Sequence, residues 1–166
     1  MSYDLKAVIA HTELLTTVTA PLPHAKVTRL RHGLSLMPVT EALLNTLAPK
    51  PHGLRTAHTV RTVRTGFWSL TTGLAQHLAG WSAGGAMAYV ESEYWAGVGE
   101  ENAVVWRAGS VVLSPLHLRE DEAAPAEGTP VCRVLRELGI TAVGIEDEFT
   151  IAGLGDHRDT EGWLGA

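Results

Sequence analysis

Glu91 and Glu93 fall two residues apart in Ala86 to Tyr94, a run whose alternation reads as a β-strand. Two residues of strand rise separate such carboxylates by about 6.6 Å and put them on one face. That separation suits an acid–base pair or the oxygens of a hard cation site. His157, set among Asp156, Arg158 and Asp159, adds a base with a carboxylate to orient it. One reading is therefore a small enzyme in which Glu91 or Glu93 works with His157 on a small molecule, with or without a divalent ion. Against it, no serine or cysteine stands in a nucleophile elbow, and no HExxH pair of metal ligands occurs. The eight histidines are scattered singly, so no metal ligands and no cofactor are assigned. Gly97 and Gly99 lack the strand, helix and downstream acid of a dinucleotide fingerprint and read as loop glycines.

The same stretch supports a second chemistry. YVESEYWAGVGEENAVVW, residues 89 to 106, reads as a β-hairpin with WAGVGEEN as its connection. Glu91, Glu93, Glu100 and Glu101 supply charge, while Tyr94 and Trp95 supply the aromatic area that dominates interface energetics. A core explains aromatics beside carboxylates on a glycine loop poorly. Arg107 is the nearest basic residue able to neutralise the strand glutamates. The six residues Glu91, Glu93, Tyr94, Trp95, Glu100 and Glu101 thus form the expected binding surface, its partner a protein with a basic face.

AYVESEYWAGVGEENAVVWRAG, residues 88 to 109, resembles a pattern of small uncharacterised bacterial proteins. In that pattern a strand ending in an acidic residue, a tyrosine and a further aromatic runs into a glycine loop and a hydrophobic return strand. Some proteins of this build resemble the cytoplasmic immunity proteins that neutralise polymorphic toxins. The resemblance spans 22 residues, defines a hairpin and assigns no functional residue; it implies a binding role.

Composition narrows the alternatives. At 166 residues, 45% of them hydrophobic, the chain suits one globular domain, and a chain of that size buries roughly 70% of its unfolded surface. No apolar run approaches the length of about 20 residues that a membrane span needs, and the start MSYDLKAVIA is too short in apolar residues for a signal peptide. A lone Cys132 excludes an intramolecular disulfide and fits a reducing, cytoplasmic setting. Net charge is −5, unevenly placed: residues 1 to 65 hold eight basic against three acidic residues, and residues 66 to 166 hold five against fifteen. An acidic face of that kind steers basic partners. Residues 48 to 65 read as a flexible, basic, threonine-rich loop, but they carry no aromatic platform for bases, so nucleic acid is excluded as a partner.

The elements that must position these residues form an α+β domain, a mainly antiparallel sheet packed against four or so short helices. Leu5 to Ala10 reads as a buried strand. Lys26 to Arg31 and Leu34 to Val39 form a hairpin turning at His32 and Gly33. Helices are expected over 12 to 19 with Thr12 as cap, 40 to 47 behind Thr40, 67 to 80 from the spacing of Phe67, Leu70, Leu74, Leu78 and Trp81, and 129 to 138 behind Thr129 and Pro130. His77 flanks the third helix and reads as satisfied by a backbone carbonyl or water. Cys132 reads as a packing residue. After Ala108 and Gly109 the chain turns into a further strand from Ser110 to Ser114.

Overall fold

The computed structural model describes residues 2–48 and 66–166, and the basic segment expected as a loop lies, apart from Ala48, outside them. Six antiparallel strands form one sheet in the order β2-β3-β1-β4-β5-β6. They are β1 (Ser2–His11), β2 (Thr28–Arg29), β3 (Leu34–Pro38), β4 (Met87–Trp95), β5 (Val98–Arg107) and β6 (Ser110–Leu118). Helices α1 (Thr12–Thr19), α2 (Glu41–Leu47) and α3 (Thr72–Trp81) belong to one face, and α4 (Pro130–Glu137) and α5 (Glu148–Ala152) to the other. The α+β class read from the sequence is the class observed.

Being covered on both faces explains the apolar run in β1. Ala7 and Ile9 enter the core beneath α4, while Val8 and Ala10 enter the core beneath α1 to α3. All four are fully buried, so alternation of apolar with polar residues is lost in this strand. β1 lies in the middle, paired with β3 on one side and with β4 on the other.

Three hairpins turn on an X-Gly pair. His32-Gly33, Ala96-Gly97 and Ala108-Gly109 all hold positive φ at both residues, the requirement of the two-residue turn whose twist matches that of its strands. For the β4–β5 ribbon this corrects the expected eight-residue connection. Only Ala96 and Gly97 turn, and Gly99, Glu100, Glu101 and Asn102 are ladder residues facing Tyr94, Glu93, Ser92 and Glu91. Gly99 is needed there because a Cβ would strike the Glu93 carbonyl oxygen and come within 2.7 Å of Tyr94 Cα.

Of the three caps expected from sequence, Thr40 and Thr129 are found and Thr12 is not. Thr40, Thr71, Thr129 and Asp147 each accept a backbone N–H of the following first turn. Thr12 does not cap α1: His11 occupies that position, and the Thr12 hydroxyl bonds Gly33 O and Ser35 Oγ. α3 starts at Thr72, five residues later than its apolar spacing predicts. Phe67 and Leu70 do reach the core, but from an irregular segment, because the amides of Trp68 and Ser69 are bound to a side chain of the sheet. Among the described residues, no helix is long and apolar enough to cross a membrane.

Candidate functional site

That side chain is Glu91. On β4 it shares a face with Met87, Tyr89 and Glu93, as strand alternation predicts, but it is 0% exposed. Its Oε1 accepts the Trp68 N–H at 2.7 Å and Asn102 Nδ2 at 3.3 Å. Its Oε2 accepts the Ser69 N–H at 2.6 Å and the Tyr89 hydroxyl at 2.7 Å. Four donors satisfy a buried carboxylate. Glu91 is therefore a clamp between the sheet and the segment before α3, which corrects its assignment to an exposed binding face.

Glu101 is corrected likewise. It points to the opposite face of the sheet, 5% exposed, and accepts the Tyr94 hydroxyl and the Val131 N–H, each at 2.9 Å. Val131 opens α4, so the carboxylate sits at that helix's positive end. Burial nevertheless pushes its pKa above 4.5, against the lowering effect of the hydrogen bonds from Val131, Thr129 and Tyr94. The phenol of Tyr94 is held inward by this contact, and burial followed by the Glu101 charge raises its own pKa.

Glu93, Trp95 and Glu100 remain at the surface. Trp95 is 69% exposed, and its cross-strand partner Val98 is 48% exposed. Glu93 is exposed and lies directly opposite the half-buried Glu100 in the ladder. Neither carboxylate has an ion pair among the described residues. Arg107, the expected neutraliser, instead meets Glu137 at 3.3 Å. A shallow hollow lined by Glu93, Trp95, Val98, Gly99, Glu100 and Glu120 carries this surface around the ribbon's end.

The expected cleft joining Glu91 or Glu93 to His157 does not form. His157 stacks on Trp163 at 4.5 Å between ring centroids, and Trp163 belongs to the core under the opposite face of the sheet from Glu91. Glu91 also has no free oxygen to share. A different histidine is joined to it. Asn102, 4% exposed, gives its amide N–H to Glu91 and accepts at Oδ1 from His117 Nδ1 at 2.6 Å. His117 lies next to Gly66, where a Cβ would come within 2.7 Å of the imidazole, and its ring packs edge-on against Phe67 at 5.3 Å. Burial and the charge of Arg119 lower the His117 pKa below 6.5, with Glu91 opposing.

Sequence reading missed this chain because Asn102 lay within the supposed hairpin connection and His117 beyond the supposed end of its strand. The register settles it: His117 faces Asn102, which faces Glu91, across three adjacent strands. His77 bonds the Gly73 carbonyl at 2.8 Å and Cys132 is buried, both as expected. Among the described residues, no group of three or more His, Cys, Asp or Glu side chains is placed to hold a metal ion.

No family model matches this chain, and neither the curated proteins nor the solved structures contain a detectable relative.

Proposed function

We propose that the chain is a non-enzymatic protein-binding domain of the cytoplasm that presents the end of the β4–β5 ribbon to a basic surface on its partner, in the manner of an immunity protein. The observation that carries this reading is Trp95, 69% exposed beside a two-residue turn and near Glu93 and Glu100, which have no ion pair among the described residues. The fold gains nothing evident from either feature. An exposed indole forgoes burial free energy, and like charges directly opposite each other in a ladder are destabilising. Both suit an interface, where tryptophan anchors binding and carboxylates set rate and orientation.

The test is capture of the partner by wild-type protein and by Trp95→Ala, Glu93→Lys and Glu100→Lys, each confirmed folded by circular dichroism. Loss of affinity of at least about tenfold in Trp95→Ala, with salt-sensitive losses in the lysine variants, supports the reading. Unchanged capture by all three at low salt refutes it.

A further inference from the structure

The hydrogen-bond chain from Glu91 to His117 has a direction that the protein itself imposes. Glu91 accepts from two backbone amides and a tyrosine hydroxyl, and Asn102 likewise turns its NH2 toward Glu91 and its oxygen toward His117. The oxygen in turn requires a proton on His117 Nδ1. In the neutral ring that leaves Nε2 without a proton, a fixed acceptor. Glu91 cannot relax this demand, since two backbone amides and a tyrosine hydroxyl hold it in place. A buried carboxylate at the middle of the sheet thus determines which nitrogen of a surface histidine carries hydrogen.

His117 lines a pocket of about 340 Å³ with Gly66, Glu100, Asn102 and Arg119. Glu100 also lines the hollow around Trp95, so the pocket continues the ribbon surface. Its acceptors are Nε2 and the Glu100 carboxylate. Asn102 is already committed at both ends of its amide. Arg119 also lines the pocket, with no ion pair to Glu100 among the described residues; its backbone N–H is taken by Glu122 and Glu120 follows it in the chain. Two acceptors lining one pocket, one of them a carboxyl group, suit a cation rich in N–H donors.

We propose that this pocket seats one cationic side chain of the partner, an arginine or lysine whose N–H groups meet His117 Nε2 and the Glu100 carboxylate. The inference deepens the binding role proposed above and rests on it for the partner, though not for the chemistry of the pocket. Protonation of Nε2 turns an acceptor into a charged donor. The groups facing that event are Glu100 and Asn102 from β5, Glu91 through Asn102, Arg119 beyond the end of β6, and the Phe67 ring. Acid therefore expels the cation through His117.

The probe is N-acetylargininamide, titrated into the full chain and followed by NMR, with N-acetylcitrullinamide as the neutral analogue. The expected result is displacement of the His117 ring and Glu100 signals at about pH 7.5, weakened about tenfold by His117→Ala, by the citrulline analogue and by lowering to about pH 5. Long-range proton–nitrogen spectra should show the proton of the free protein's His117 on Nδ1. A proton on Nε2, a probe that shifts only Trp95 and Glu93, or affinity unaffected by His117→Ala overturns the proposal. The two readings fail separately. Probe binding at His117 together with partner capture indifferent to Trp95→Ala removes the ribbon reading and leaves a cation pocket. No probe binding together with capture that depends on Trp95 removes the pocket alone.

Discussion

Glu93 lies directly opposite Glu100 across the β4–β5 ladder, two like charges placed where an opposite pair would stabilise the ribbon. Cross-strand pairs of this kind are worth roughly 0.2–1 kcal/mol. Glu100→Lys is therefore expected to raise unfolding free energy by an amount in that range while weakening partner capture. Urea denaturation beside a binding assay checks both, and a variant that loses stability contradicts the assignment of the pair.

Glu91 behaves in the opposite way. Glu91→Ala strands two backbone amides, a tyrosine hydroxyl and an asparagine amide in the interior, each costing about 1–3 kcal/mol when unsatisfied. We expect a loss above about 3 kcal/mol, or failure to fold, whereas Glu93→Gln on the same strand stays within about 0.5 kcal/mol. Denaturation midpoints of the two variants separate the clamp from the surface charge.

The Glu101 carboxyl titrates above 4.5 in the folded chain, chiefly because it is buried. Folding thus favours its protonated form. Its contribution to stability is present below the unfolded value and is lost as pH rises through the folded one. Glu101→Gln removes that titration, so its stability relative to wild type should improve as pH rises from the unfolded value through the folded one. A difference that stays flat, or falls, across the range rejects the raised value.

Ala96 occupies a left-handed position, φ 51°, beside Gly97 at φ 86°. Asparagine tolerates that region better than alanine and is the favoured partner of glycine in such a turn. Ala96→Asn is expected to stabilise the protein, read as a higher melting temperature. Gly99→Ala should be strongly destabilising, since its Cβ meets the Glu93 carbonyl. Thermal denaturation of both variants tests the two-residue turn.

Much of this fold was legible wherever local chemistry decides it. The caps Thr40 and Thr129, the His32-Gly33 turn and the stripe of Val131, Val134, Leu135 and Leu138 all act within a few residues of themselves. Reading failed where a distant group intervened. Phe67 and Leu70 have helical spacing, yet Glu91, more than 20 residues away, claims the amides such a helix would use. Glu91 and Glu101 looked like surface charge because sequence alternation reports polarity and not which polar side chains find buried partners. Gly99 read as a loop residue because its close backbone neighbour lies on the other strand. The joining of His117 to Glu91 depends on register across three strands, which no short spacing encodes.

The position of β1 bears on how the molecule is made. Of the strands described, the first in sequence lies inside the sheet, and its longer ladder, to β4, joins residues 77 to 93 positions apart. Its edge also receives residues 158–160, where the Asp4 amide bonds Arg158 O and the Lys6 amide bonds Thr160 Oγ1. Pairings so distant in sequence slow folding. The β1–β4 ladder therefore closes late, and Ser2 to Lys6, the part of β1 that β3 does not pair, waits longest for its neighbours.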